Sequence, residues 1–171
     1  MRVHKTGAEL VGSLDNFRKI PFLQSFGEDH LKELLNASKM IIYEPDEIII
    51  AEGGFDDKMF ILLSGKVKVI KNKAWIATFE DAGELFGELS MLDGEARSAA
   101  VIAVEKSWCL AISIAFLHKL STEERNACYA VLYGVLAKII AERLKLANEE
   151  LVVAQKELEY VRTQLVQQNK T

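Results

Sequence analysis

The chain has 171 residues, half of them hydrophobic, which is enough to bury one sizeable core, so one globular domain with an appendage is expected. Its 21 basic and 25 acidic residues give a net charge of −4, which argues against a nucleic-acid partner because phosphate contacts need clustered Lys and Arg. No apolar segment approaches the ~20 residues that a membrane span requires, so no membrane partner is expected either.

Residues 1–38 are expected to form N-terminal helices. Between Ala8 and Ser38 apolar residues recur at helical spacing: Leu10, Leu14, Phe17, Leu31, Leu34 and Leu35. Pro21 and Gly27 interrupt this pattern. The segment therefore predicts two short helices with a break between them.

Residues 39–120 change to short β-rich runs separated by turn signals. The runs are MIIY, EIIIAE, KMFILLSG, KVKVIK, AWIATF, AAVIAV and SWCLAISI. Many short strands with regular turns are typical of a β-barrel or β-sandwich. The densest basic cluster of the chain falls here, and its near-alternate spacing is typical of the solvated face of a strand: Lys66, Lys68, Lys71 and Lys73.

Residues 121–171 contain no proline and no turn signal, and they predict one long helix that starts at Ser121 or Thr122. Two heptad positions are apolar or small: Ala130, Ala137, Leu144, Leu151, Leu158 and Leu165 in one, and Tyr133, Ile140, Ala147, Ala154 and Val161 in the other. This seam predicts a coiled coil and a homodimer, in which Glu157 faces Arg162 of the second chain. The alternative, that the stripe folds back on its own domain, suits residues 127–140 better.

The segment FGELSMLDGEARSAAVIA, residues 86–103, places two charged residues among small and apolar ones. Charged side chains on such a background lie either at the edge of water or against something polar. Gly83, Gly87 and Gly94 allow a bulky ligand to approach the backbone closely. The segment therefore predicts a pocket that has Glu88 and Arg97 as its charged walls.

Metal binding is not indicated. His4, His30 and His118 are scattered and lie outside the predicted strands, so neither a metal site nor a cupin-like metalloenzyme, the enzyme alternative for such a fold, is favoured. Cys109 and Cys128 lack the spacing of a zinc site or a disulfide framework, and a reducing cytoplasm fits them.

Three motifs, in this order, carry a family resemblance: IPFLQSFGEDHLKELL, EPDEIIIAEGGFDDKMFILLSGKVKV and the segment at residues 86–103. Together they resemble the cyclic nucleotide-binding domain of the catabolite activator protein and protein kinase A regulatory subunit superfamily. The third motif is highly specific, whereas the first two are individually weak. The resemblance implies a mainly β fold with flanking helices, a double-stranded β-helix or jelly-roll-like β-roll, followed by the long C-terminal helix.

The resemblance also implies roles for individual residues. By similarity, Glu88 accepts a hydrogen bond from the ribose 2′-hydroxyl and Arg97 faces the cyclic phosphate. Backbone N–H groups near the start of a short helix and a small-residue pair after the arginine complete the expected site: Gly87, Leu89 and Ser90, then Ser98 and Ala99. Asn148 on the long helix is expected to reach the nucleobase, and the alternative is that it is only a solvated residue beside the seam. The alternative is that Glu88 and Arg97 pair with each other in a domain that has lost its ligand.

The expected function is a regulatory or sensor module that binds a cyclic nucleotide, with cyclic AMP favoured over cyclic GMP although Ser98 fits either base. Neither a DNA-binding helix-turn-helix nor a catalytic segment follows the long helix, so the output is expected to pass through a separate effector protein. Two alternatives remain open, namely a ligand-free dimeric scaffold and a truncated transcription regulator of the cyclic AMP receptor type.

Overall fold

The computed structural model describes residues 2–12, 14–90, 94–113, 117–118 and 120–168. The chain divides into two compact units, Met1–Val131 and Leu132–Thr171. The first unit contains all of the described β-strands, and the second consists of most of a long helix.

In its described residues, the N-terminal segment begins with a strand and continues with four short helices: β1 (Arg2–Thr6), α1 (Gly7–Val11), α2 (Leu14–Phe17), α3 (Pro21–Gln24) and α4 (Glu28–Asn36). The prediction of two helices with a break is therefore wrong in number, and the prediction of helices throughout residues 1–38 is wrong at β1. Pro21 occupies the first turn of α3 and Gly27 is the N-cap of α4, so the two predicted interruptions are helix starts. β1 forms by antiparallel pairing with a strand nearly forty residues away, which local periodicity does not encode.

The part of the chain that the structure describes contains eight further strands: β2 (Ser38–Tyr43), β3 (Ile48–Ile50), β4 (Lys58–Ser64), β5 (Val67–Lys71), β6 (Ala74–Phe79), β7 (Leu85–Phe86), β8 (Ala100–Ala103) and β9 (Ser107–Ser113). They form a first sheet in the order β1-β2-β9-β4-β7 and a second sheet in the order β3-β8-β5-β6, with all pairs antiparallel. All seven predicted runs are strands. Among the strands that the described residues form, only β1 and the two-residue β7 lacked a prediction.

The core of the β region draws side chains from both sheets. Phe60 and Leu62 of the first sheet belong to the same buried cluster as Val67 and Val101 of the second. The ring of Phe86 stacks on Phe60 with centroids 5.5 Å apart. Burial of this apolar surface is the main favourable contribution to folding, and it holds the two antiparallel sheets together in the mainly β architecture that was expected.

The long helix α5 (Thr122–Gln168) begins with a reciprocal cap. The Glu124 N–H donates to Ser121 Oγ at 3.3 Å, and the Ser121 N–H donates to Glu124 Oε2 at 3.0 Å. This capping box satisfies two otherwise unpaired backbone donors, which explains why the helix begins where the sequence predicts. Among the described residues, no helix has the length and apolar character needed to cross a membrane.

The second unit exposes the apolar residues of its predicted seam. More than half of the surface of each leucine in one heptad position is accessible: Leu144, Leu151, Leu158 and Leu165. The coiled coil itself stays a prediction.

Candidate functional site

The two charged residues that the sequence places in a pocket lie between β7 and β8. Glu88 is 2% exposed and Arg97 is 4% exposed, so both are buried. Burial of charged side chains is costly unless polar groups surround them, and their environment therefore decides what the site can hold.

Gly87 joins β7 to this segment in a conformation that other residues rarely adopt. Its φ is +78°, and a Cβ atom built on it would lie 2.7 Å from Ile50 Cδ1 and 3.0 Å from Arg97 Nη1. Glycine is therefore required both for the backbone angle and for the close approach of the arginine. The pairing of Phe86 with Phe60 ties this turn to the first sheet.

The backbone of Arg97 is held by the turn that follows β3. The Arg97 N–H donates to the Gly54 carbonyl at 2.8 Å, and the Gly53 N–H donates to the Arg97 carbonyl at 2.8 Å. This pair of hydrogen bonds brings the turn at residues 51–57 beside the segment that carries Arg97. The turn therefore contributes to the site.

The guanidinium of Arg97 has three protein acceptors. Nη1 donates to the Gly87 carbonyl, and Nη2 donates to the Lys58 carbonyl and to Asp56 Oδ1. Asp56 Oδ1 also accepts a hydrogen bond from the Lys58 N–H at 2.9 Å, which holds the carboxylate at the start of β4. The ion pair with Asp56 holds the arginine in place and compensates its charge.

Asp56 is a site residue that the sequence analysis missed. The acidic pair Asp56 and Asp57, which follows the Gly53-Gly54 turn signal with only Phe55 between, was the available signal. Nothing in the sequence linked either residue to Arg97, which follows 41 positions after Asp56.

Two buried polar atoms of the site have no hydrogen-bond partner in the described structure, namely Arg97 Nε and Ser90 Oγ. An unpaired buried donor costs about 1–3 kcal/mol, so such atoms call for an explanation. An anion with several oxygen acceptors fits Arg97 Nε, because the guanidinium fork suits phosphate geometry.

The other predicted site residues differ in their exposure and in their position in the fold. Leu89 is half exposed and Ser90 follows it in the first helical residues after Glu88, while Ser98 is exposed and Ala99 half-buried just before β8. Residues 91–93, which belong to the same motif, lie outside the described residues. Asn148 is an exposed residue of the second unit, and its contact with a nucleobase stays a prediction.

Within the described part of the chain, no group of three or more His, Cys, Asp or Glu side chains is placed to hold a metal ion. The chemistry of the site rests on one buried guanidinium, one buried carboxylate, and backbone and hydroxyl donors.

Residues 40–137, more than half of the chain, match the family model of the cyclic nucleotide-binding domain. The chain belongs to this family. The curated relatives include the cGMP-dependent protein kinase of Eimeria tenella, which is 35% identical over 94 residues that cover 54% of this chain and 9% of the kinase. The cyclic AMP receptor protein of Thermus thermophilus is 27% identical over 139 residues, or 77% of this chain and 60% of the receptor. The chain thus spans less than two thirds of either relative.

Among solved structures, a cyclic nucleotide-binding domain from Methylobacillus flagellatus superposes with a TM-score of 0.65 at 25% identity. The superposition covers 82% of this chain and 84% of that domain. The resemblance inferred from the three sequence motifs is therefore confirmed, as is the mainly β fold with a C-terminal helix.

Proposed function

We propose that this member of the cyclic nucleotide-binding family is a ligand-binding regulatory module whose anion site is built on Arg97. The observation that carries the proposal is that Nε of this buried guanidinium has no hydrogen-bond partner among the described residues. A cyclic phosphate supplies that acceptor together with a compensating negative charge.

The other contacts with the ligand are proposed for residues that lie just before and just after Arg97 in the motif. Backbone N–H groups at Leu89 and Ser90 and the unpartnered Ser90 hydroxyl offer donors to the phosphate oxygens. The buried Glu88 carboxylate accepts from the ribose 2′-hydroxyl, and a carboxylate is the side chain best suited to accept that hydrogen bond. Ser98, directly after Arg97, offers its own N–H and hydroxyl to the phosphate or to the base, and Ala99 follows it just before β8.

Cyclic AMP is the proposed ligand, with cyclic GMP as the competing one. Ser98 serves either purine, so the preference has to be measured by competition. A preference for cyclic GMP of tenfold or more, about 1.4 kcal/mol, would overturn this part of the proposal.

The second unit is proposed to form a parallel coiled-coil homodimer. Its leucines at sevenfold spacing are exposed, and the flanking charges of Glu157 and Arg162 complement each other between parallel chains. Such a dimer presents two nucleotide sites to an effector protein. On this proposal the chain senses and transmits, and performs no catalysis itself.

One observation favours a second candidate, a dimeric scaffold that has dispensed with ligand. Asp56 already compensates the charge of Arg97, as an internal substitute for a phosphate would. The two candidates differ in whether the purified protein binds a nucleotide.

Isothermal titration calorimetry with cyclic AMP and cyclic GMP tests the proposal. Wild type is expected to bind, and Arg97→Lys, which keeps the charge and loses the fork, should bind at least tenfold more weakly. Arg18→Lys is the matched control, because Arg18 forms an exposed ion pair with Glu28. Absence of binding in folded wild type, or equal affinity in wild type and Arg97→Lys, contradicts the proposal.

A further inference from the structure

The first sheet carries apolar side chains on both of its faces. Ile41 and Leu62 belong to the buried cluster between the two sheets. Adjacent residues of a strand point to opposite faces, so their neighbours Met40 and Leu63 lie on the face turned away from the second sheet. The helices α1 and α4 contact β2. The N-terminal helices therefore cover this second face and form another apolar layer with it.

A cavity of about 240 Å³ lies between these helices and the first sheet. Leu10 of α1 is fully buried and Phe17 of α2 is 7% exposed, so this part of the wall is shielded from water. Five side chains form the apolar wall, and they come from three helical segments and two strands: Leu10, Phe17, Ile20, Met40 and Leu63. The cavity therefore depends on how separate elements pack against each other.

Two polar residues complete the described lining of the cavity, namely Lys5 and Asn16. Lys5 is the partner of Met40 across β1 and β2, and directly opposite residues project from the same side of a sheet. Lys5 is half-buried and Asn16 is exposed, so the two polar side chains mark the side of the cavity that faces water. A lysine in such a position covers apolar surface with its aliphatic stem and keeps its ammonium near water.

The charge of Lys5 is not compensated by a carboxylate, since no ion pair of this lysine occurs in the part of the chain that the structure describes. Glu9, the acidic residue of α1, accepts a hydrogen bond from the Thr6 N–H at 3.2 Å. Asp15, the acidic residue of α2, is not part of the described lining. The cavity therefore combines an apolar wall with a positive charge that an anionic group complements.

We propose that this cavity binds a small carboxylic acid with an apolar tail, of the size of octanoate. The tail lies against the five apolar side chains, and the carboxylate lies at the Lys5 ammonium, where the Asn16 amide is a second donor. None of the residues that line the cavity belongs to the proposed nucleotide site, so the two ligands occupy separate sites.

The volume of the cavity sets the size of the ligand. An apolar cavity of about 150 Å³ binds benzene, which has six carbon atoms. On that scale the cavity beside β2 holds roughly ten non-hydrogen atoms, which is the size of octanoate. A longer tail extends out of the cavity into water and gains no further apolar contact with the wall.

Isothermal titration calorimetry of the full chain with octanoate, 1-octanol and octylamine tests the proposal. Octanoate should bind, 1-octanol should bind at least tenfold more weakly, and octylamine should not bind, because only the carboxylate complements Lys5. From hexanoate to octanoate the affinity should rise by about fourfold for each methylene group. From decanoate to dodecanoate it should stay constant, because the added carbons lie outside the cavity.

Two variants separate the charge from the apolar wall. Lys5→Met keeps an apolar stem and loses the charge, so it should bind octanoate at least tenfold more weakly than wild type and 1-octanol equally well. Leu63→Phe adds volume to the wall and should weaken the binding of both. Lys39→Met is the matched control, because Lys39 is an exposed lysine of β2 that does not line the cavity, and it should bind octanoate like wild type. Circular dichroism checks that each variant is folded.

Four results overturn the proposal. Folded wild type that binds no octanoate shows that the cavity is not a ligand site, and equal affinities for octanoate and 1-octanol show that it does not select an anion. Equal octanoate affinities of wild type and Lys5→Met place the carboxylate elsewhere, including at the Arg97 site. An affinity that keeps rising through dodecanoate indicates adsorption to apolar surface without a site of defined volume.

Discussion

The Asp56 carboxylate accepts a hydrogen bond from Arg97 Nη2 and forms an ion pair with it, although the two residues are 41 positions apart. The Arg97 side chain is 3% exposed, whereas that of Asp56 is 37% exposed. Water therefore reaches the carboxylate more easily than the guanidinium. A phosphate that binds at Arg97 must share the guanidinium with Asp56 or displace it.

Asp56→Asn is expected to destabilise the ligand-free protein and to enlarge its response to nucleotide. Loss of one partner leaves a buried positive charge, and because Asp56 is partly exposed the cost should be about 1–2 kcal/mol. A bound phosphate would supply the missing charge. Thermal unfolding with and without cyclic AMP should therefore show a lower melting temperature for the variant alone and a larger shift on adding ligand than in wild type.

Asp57→Asn is the matched control for that measurement, because Asp57 accepts a hydrogen bond from Ser113. If Asp56→Asn and Asp57→Asn respond to nucleotide in the same way, Asp56 has no specific influence on the anion site.

Gly87→Ala is expected to weaken both stability and nucleotide affinity. The new methyl group would contact Ile50 and Arg97 in a backbone conformation with positive φ, at a cost of about 1–3 kcal/mol for the backbone alone. Gly94→Ala separates the cost of the backbone conformation from the cost of the new contacts. Gly94 also has a positive φ, +71°, but no described atom lies within 4 Å of a methyl group added there. Urea unfolding should show the larger loss for Gly87→Ala, and calorimetry should show weaker binding for it. Equal losses in the two variants would mean that the contact with Arg97 is unimportant.

Leu158→Glu is expected to abolish dimerisation through the second unit. Leu158 occupies the predicted seam, where the same residue of both chains is juxtaposed in a parallel coiled coil. A glutamate there would therefore place two negative charges against each other in the dimer. Val153→Glu is a close control, because Val153 is 56% exposed against 53% for Leu158 and lies outside the two seam positions. Sedimentation velocity should give a monomer for the first variant and a dimer for the second. A monomeric wild type, or two variants with the same mass, refutes the predicted seam.

The capping box at the start of α5 predicts a pH dependence of stability. The side-chain and backbone hydrogen bonds from Ser121 lower the pKa of Glu124 below its usual value. A carboxyl with a lowered pKa in the folded state stabilises the protein above its unfolded pKa, and that contribution disappears as the pH falls through the folded pKa. Wild type should therefore melt at a higher temperature than Glu124→Gln at pH 7, and the difference should shrink toward zero near about pH 3.

Glu123→Gln, one residue earlier, provides the comparison for this pH series. A difference between wild type and Glu124→Gln that stays constant from neutral to acid pH would show that the charge of Glu124 has no part in the cap.

Local sequence was sufficient for much of this fold. Each predicted β-rich run is a strand because alternating or continuous apolar residues, ended by turn formers, favour extended structure independently of the residues that pack against them. The helix beginning at Thr122 was equally predictable, since Ser121 and Glu124 are three positions apart and form their cap within one turn. Glu88 and Arg97 could be proposed together from the sequence because both lie in one short segment, and the structure buries both.

Tertiary structure decided the features that depend on distant residues. β1 exists because it pairs with β2, and β7 is held by its partners in β4, although neither short segment has a strong preference of its own. The pairing of Asp56 with Arg97 and the unpartnered Arg97 Nε both depend on the turn after β3 lying beside the segment before β8. The cavity beside β2 likewise needs the N-terminal helices to pack on the first sheet. Such contacts form only when the core brings separate strands together, because their energy depends on positions in space that neighbouring residues do not determine.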